Sequence, residues 1–84
     1  VEDELPQLDL RPNPASDRLM ITSPFSEGNV QVEVMDASGR LVVRHSAASV
    51  GPITLNIDRL SPGLHLVRMM DRRGRVATAR FMKE

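Results

Sequence analysis

Short runs in which apolar and polar residues alternate, separated by turn residues, restrict the fold of this chain more than any other feature. The clearest run is NVQVEVMD, in which Val30, Val32 and Val34 lie on one face of an extended strand. Similar runs recur at intervals of about ten residues, and no stretch has the period of an amphipathic helix. The pattern predicts an all-β sandwich of about seven short, mainly antiparallel strands, with connections too short for crossover helices.

The segment GLHLVRMM admits two registers within the predicted sandwich. An inward Arg68 would be a buried charge with no evident partner, which disfavours the register that turns it toward the core. We therefore predict that His65, Val67 and Met69 point inward. Three apolar side chains then point outward and need cover from a neighbouring domain, a partner or a second copy in a homodimer: Leu64, Leu66 and Met70.

Composition and charge exclude several classes of function. The 84 residues suffice for one domain, and eleven basic residues balance eleven acidic ones, so the whole chain has no charge bias toward nucleic acid or an anionic membrane. Cysteine is absent, which excludes disulfides and thiolate metal sites. No apolar run approaches the roughly 20 residues that span a bilayer, so we expect no membrane insertion by this domain.

The first residues differ in character from the rest of the chain. Residues 1–7, VEDELPQ, are acidic and contain proline without any apolar period, as is typical of a linker. We therefore predict that residues 1–7 are the end of a linker from an upstream domain and that residues 8–84 form the folded domain. Basic residues are concentrated from Arg59 onward, so the two ends of the chain carry opposite charge.

No residue pattern indicates catalysis or a cofactor. His45 and His65 lie on separate predicted strands, and neither is followed by an acidic residue or a cysteine at a metal-ligand spacing. The serines lie in turn sequences rather than in a nucleophile elbow, and no glycine-rich loop precedes a helix to hold a phosphate. Arg72, Arg73 and Arg75 have no aromatic neighbour in the sequence for stacking on bases. We therefore expect no enzyme, no cofactor, no metal and no nucleic-acid partner.

Three turns contain motifs. In RPNPASDR, Pro12 and Pro14 fix the backbone φ angle and remove two N–H donors, so this segment ends the first strand and directs the second. In DASGR, the Asp36 carboxylate is placed to accept turn N–H groups, and Gly39 is placed to adopt a positive φ. In LSPG, a Pro-Gly pair turns the chain into the next strand. Each turn taken alone indicates only a connection between strands.

Taken in order and spacing, these turns resemble the type A C-terminal sorting domain of the type IX secretion system, also called the Por secretion system, of Bacteroidota-type bacteria. That family has a PNP motif with small residues, a D-x-x-G-R/K turn, a G-x-Y-x-V strand and a short final strand with a basic residue. The resemblance covers residues 8–84. The matching residues are Pro12, Asn13, Pro14, Ser16, Asp36, Gly39, Arg40, Gly63, His65, Val67, Arg80 and Lys83.

The resemblance implies an immunoglobulin-like or fibronectin-like sandwich that acts as a secretion signal for its parent protein. It implies partners among the translocon and sortase components, with residues 80–84 and the PNP and DASGR turns as the surface that the translocon reads. It also implies transit through the periplasm and delivery to the outer-membrane surface or the medium. Family members often lose the domain to the sortase and are joined to anionic lipopolysaccharide, although some members retain it. If this copy is cleaved, the cut is expected in residues 1–7.

Two positions depart from the family pattern, because His65 stands in place of tyrosine and Arg80 in place of lysine.

Two other functions also fit parts of the sequence. A structural accessory sandwich would space the domains of a larger extracellular protein and would lie between other domains. Carbohydrate binding fits poorly, because the chain has two phenylalanines, no tryptophan and no tyrosine. The edge of the last strand is a further expected contact, since an unpaired edge can receive a partner strand.

Overall fold

Seven strands make up the regular structure in the computed structural model, which describes residues 8–25, 28–48 and 51–84. No helix occurs within these ranges, so the all-β prediction is confirmed. The predicted linker, residues 1–7, lies outside the described residues. The strands are β1 (Asp9–Arg11), β2 (Arg18–Thr22), β3 (Asn29–Asp36), β4 (Leu41–Ala48), β5 (Ile53–Asn56), β6 (Gly63–Met70) and β7 (Val76–Lys83).

The strands form two sheets that pack face to face. One sheet has the order β1-β2-β5 and the other has the order β4-β3-β6-β7. Every neighbouring pair of strands within the two sheets is antiparallel. Antiparallel neighbours need only a tight turn to join them, which is why such a short chain can hold seven strands. The predicted sandwich is confirmed.

Alternation along each strand places the core between the sheets. On β3 the three predicted valines are buried, and on β6 His65, Val67 and Met69 are buried as predicted. Arg68 lies on the outer face, where its guanidinium is 3.7 Å from the Glu33 carboxylate. The core is mostly aliphatic and comprises Leu8, Ala15, Leu19, Ile21, Phe25, Val30, Val32, Val34, Ile53, Leu55, Ile57, Val67, Met69, Ala77 and Phe81.

The outer face of the four-stranded sheet leaves several apolar side chains in contact with solvent. Leu64 and Met82 are exposed, and Leu66 and Met70 are half-buried. The outward register expected for the apolar residues of β6 is therefore confirmed, whereas a homodimer through them stays a prediction. The described part of the chain contains no helix that is long and apolar enough to cross a bilayer.

Candidate recognition surface

The PNP segment joins the two sheets. β1 pairs with β2 as far as Arg11, and after Pro12 the chain crosses to the four-stranded sheet, where Ala15 forms a parallel bridge with Lys83 of β7. The peptide bonds that precede Pro12 and Pro14 are both cis. The first sequence motif and the last strand are therefore in direct contact.

Three hydrogen bonds hold this segment along the outer edge of β7. Asn13 Oδ1 accepts the Met82 N–H at 3.1 Å. The Ala15 N–H donates to the Met82 carbonyl at 2.9 Å, and the Ala15 carbonyl accepts the Glu84 N–H at 2.8 Å. Pro12 and Pro14 have no N–H, so neither residue next to Asn13 can donate a main-chain hydrogen bond to β7. The contact at this point is made by the Asn13 side chain, whose oxygen accepts the Met82 N–H. The motif thus covers the end of a strand edge.

Sequence reasoning identified Pro12, Asn13, Pro14 and Ser16 in this segment but missed Ala15. Ala15 is completely buried, whereas Ser16 is exposed. A larger side chain at position 15 would have to displace packed core atoms. The small residue directly after PNP was the signal for this close approach of the segment to β7.

The β3–β4 hairpin turns at DASGR in the predicted way. Gly39 has a φ of 89°, and its N–H donates to the Asp36 carbonyl at 2.9 Å. Asp36 Oδ1 accepts the N–H groups of Ser38 and Arg40, both at 3.0 Å, and the Ser38 hydroxyl at 2.6 Å. These hydrogen bonds, with that of the Ser38 hydroxyl the largest cause, lower the pKa of Asp36. A single carboxylate therefore holds the turn.

A second turn of the same kind closes the β6–β7 hairpin at DRRGR, a repeat of the D-x-x-G-R pattern that sequence reasoning missed. Gly74 has a φ of 84°, and Asp71 Oδ1 accepts the N–H groups of Arg73 and Arg75 at 3.0 and 2.8 Å. Arg75 Nε donates to Asp71 Oδ2 at 2.6 Å, and its guanidinium lies 5.1 Å from the centre of the Phe25 ring. Burial raises the pKa of Asp71, but the hydrogen bonds from Arg75 and Arg73 outweigh burial and leave the pKa lowered.

The ring of His65 lies inside the sandwich near the start of β6. It is 3% exposed and stacks on Phe81, with the ring centres 5.4 Å apart and an angle of 19° between the planes. His65 Nδ1 lies 3.0 Å from the carbonyl oxygen of Gly63, so a protonated Nδ1 can donate to it. Val67, two residues further along β6, is completely buried. These motif residues therefore act in packing.

The two basic residues of the last strand point to opposite sides of β7. Arg80 is exposed on the outer face, opposite Leu66 of β6. Lys83 is only 7% exposed, because strand alternation turns it to the same side as Phe81, and its Nζ donates to the Glu84 carbonyl at 2.9 Å. Of the two basic side chains in residues 80–84, only that of Arg80 is therefore exposed, and the reading of residues 80–84 by the translocon stays a prediction.

Three of the four motif segments meet at an open depression of about 480 Å³ on the outer face of the four-stranded sheet. Its floor is largely apolar, and Arg80 and the DASGR turn lie at its margins. The Asp36 carboxylate is already ion-paired with Arg40 at 3.3 Å. The depression, called the motif depression below, is lined by Met35, Asp36, Ala37, Gly39, Leu64, His65, Leu66, Thr78 and Arg80.

Comparison with known protein families identifies the chain. Residues 10–84 match the family model of the secretion system C-terminal sorting domain. The chain belongs to this type IX sorting-domain family. Among solved structures, the sorting domain is similar to a DUF3244 family protein with an immunoglobulin-like β-sandwich fold from Bacteroides vulgatus. The TM-score is 0.71 at 19% identity, over 94% of this chain and 96% of that one, which shows the fold. A search of curated proteins finds no significant match.

The sorting domain is a type IX C-terminal sorting signal, which implies contact with the secretion machinery and transit to the outer membrane, the cell surface or the extracellular space. Its family and fold are typical of a non-catalytic module. Among the residues that the structure describes, no group of three or more histidine, aspartate or glutamate side chains is placed to hold a metal ion. Phe25, although next to Arg75, is buried and offers no face for stacking on a base.

Proposed function

We propose that the secretion machinery reads the sorting domain on the motif depression and on the adjacent part of β7. The supporting observation is that segments of three family motifs, represented by Asp36, Leu64 and Arg80, line one depression although they are distant in the sequence. The fourth motif, PNP, holds the strand that carries Arg80. An exposed apolar side chain, Leu64, lies beside these charged groups, and apolar patches with a polar rim are typical of protein interfaces.

The proposal extends to the steps around this contact. The sorting domain meets the translocon in the periplasm, the parent protein crosses the outer membrane, and a sortase cleaves within residues 1–7. The mature protein is then attached to anionic lipopolysaccharide at the cell surface. Family membership supports this sequence of steps. Cleavage within residues 1–7 would also leave the folded unit, residues 8–84, intact as a separate product.

Localisation of the parent protein, or of a reporter that carries residues 1–84 at its C-terminal end, tests the sorting function in cells with a type IX system. Deleting residues 8–84 is expected to leave the protein in the periplasm, because the sorting signal is lost. Normal surface delivery of this deletion would refute the sorting function and favour a structural accessory module.

A pair of charge substitutions tests the role of the motif depression. Leu64→Asp places a charge on the apolar floor and is expected to lower the surface-delivered fraction by about tenfold. Met20→Asp is the matched control, because Met20 is 46% exposed and Leu64 is 42% exposed, but Met20 lies on the three-stranded sheet. Equal delivery of the two variants would show that the machinery does not read the depression.

Mass spectrometry of the surface-delivered protein tests the cleavage step. The expected product ends within residues 1–7 and carries a heterogeneous increase in mass from the attached glycolipid. A surface-delivered protein that still contains the whole sorting domain would show that this copy is retained and would refute the proposed cleavage.

A further inference from the structure

The outer edge of β7 is only partly covered. In antiparallel pairing, successive residues of a strand point their N–H and C=O groups alternately toward and away from the neighbour. Met82 points away from β6, because both of its backbone groups bond to the PNP segment. Arg80, Thr78 and Val76 have the same parity, so their backbone groups also face outward. Within the ranges that the structure describes, no backbone hydrogen bond covers these three positions, which we call the open edge.

The core is also incompletely covered beside the open edge. Ala77 and Phe81 on the inner face of β7 are buried, but Ala79 between them is only half-buried. Leu10 on β1, which contacts β7, is half-buried as well, although its cross-strand partner Ile21 is completely buried. An apolar side chain on an added strand would remove Leu10 and Ala79 from water, which is favourable.

Arg80 gives the open edge a positive charge. Elsewhere in the same sheet Arg44 on β4 and Arg68 on β6 are both paired with Glu33, whereas no carboxylate of the described residues lies within ion-pair distance of Arg80. A residue directly opposite Arg80 on an added strand would have its Cβ about 5 Å away. An acidic residue at that position would form a cross-strand charge pair with Arg80.

We propose that the open edge binds an extended segment of a protein of the secretion machinery by strand addition. The segment places an acidic residue beside Arg80 and an apolar residue, on its other face, against Leu10 and Ala79. The PNP segment demonstrates that the edge accepts an extended chain, since Ala15 bridges to it in parallel. This inference rests on the proposed function and specifies the chemistry of the partner.

The first test removes one outward-facing N–H from each of two comparable edges. Thr78→Pro removes a donor of the open edge without removing a hydrogen bond to β6, and proline is tolerated at such edge positions. Thr54→Pro is the matched control on β5, the edge of the other sheet. Its N–H also points away from the neighbouring strand, because Ile57, of opposite parity, donates to Asp17 across the sheet. We expect Thr78→Pro alone to lower surface delivery, by about tenfold.

Charge reversal supplies a second variant, which decides the question if Thr78→Pro lowers the melting temperature of the domain. Arg80→Glu places a carboxylate opposite the acidic residue of the added strand. The repulsion between the two negative charges is expected to lower delivery by about tenfold. Arg18→Glu, at an exposed arginine on β2, is the control. Thr78 and Arg80 also line the motif depression, whereas Val76 does not, so Val76→Pro separates strand addition from reading of the depression and is expected to lower delivery as well. The proposal is overturned if Val76→Pro or both other edge variants are delivered like the wild type, or if edge and control variants lose delivery equally. Failure of the sorting function is a separate result, because deleting residues 8–84 would then leave delivery unchanged.

Discussion

Replacing Asn13 with alanine removes the side-chain acceptor that joins the PNP motif to the last strand. In the native domain Asn13 Oδ1 accepts the Met82 N–H at 3.1 Å, at an exposed position. Water can reach this N–H in the variant, so the loss is that of one hydrogen bond and not that of a buried unsatisfied donor. The two hydrogen bonds of Ala15 remain. We therefore expect the free energy of unfolding to fall by about 1 kcal/mol.

Thermal unfolding followed by circular dichroism resolves a loss of this size. In a domain of this length, 1 kcal/mol corresponds to a decrease in melting temperature of about 4–8 °C. Asn13→Asp is the control, because aspartate keeps an acceptor oxygen at the same distance from the backbone, and it should retain most of the stability. Hydrogen exchange adds a local measurement, since the Met82 amide should exchange faster in the alanine variant than in the aspartate variant.

Two results would refute this reasoning about Asn13. Equal destabilisation by alanine and aspartate would show that the asparagine acts through the backbone and not as an acceptor. A native melting temperature together with unchanged protection of the Met82 amide in Asn13→Ala would show that the PNP segment does not hold the edge of β7.

Three further predictions concern the buried histidine and the turns. His65→Ala removes a ring that stacks on Phe81 and should lower the free energy of unfolding by about 2–4 kcal/mol in a urea titration, whereas His65→Phe should cost much less. Gly39→Ala meets no neighbouring atom but sets a side chain at a φ of 89°, so thermal unfolding should show a loss of about 1–2 kcal/mol, and an unchanged melting temperature would contradict this. Asp36 and Asp71 have lowered pKa values in the folded state, so the stability from their carboxylates is complete above their ordinary pKa of 3.8 and is lost as the pH falls below it. The deficit of Asp71→Asn relative to the wild type should therefore shrink in acid, and a deficit independent of pH would refute this role of the carboxylate.

Local sequence patterns were sufficient to predict the strands and, for β3 and β6, which side chains point inward. The alternating valines of β3 and the cost of burying Arg68 predicted the inward faces of β3 and β6, and the structure confirms both. A strand alternates with a period of two whatever it packs against, so the pattern can be read without knowing the partner strand. The DASGR turn was predictable for a similar reason, because Asp36 and Gly39 act on the backbone of residues next to them.

The role of the last strand was less predictable. The cost of burying a charge correctly predicted that Arg68 points outward, but no pattern in the sequence indicated that Lys83 would point inward. The ammonium group of Lys83 is satisfied by the Glu84 carbonyl, so its stem can lie on the inner face of β7. The contact of Asn13 with Met82 spans 69 positions, and nothing in the PNP motif indicates which strand donates the hydrogen bond that Asn13 accepts.

By itself, the sequence determined the strands, the turn conformations and the resemblance to the sorting-domain family, because each depends on residues that are close in the chain or on the order of motifs. Only the tertiary structure decided that three motifs share one depression and that the PNP segment covers the end of β7 and leaves Thr78 and Arg80 uncovered. These contacts arise where two sheets bring distant segments together. That arrangement depends on the packing of the whole core, which no single motif encodes.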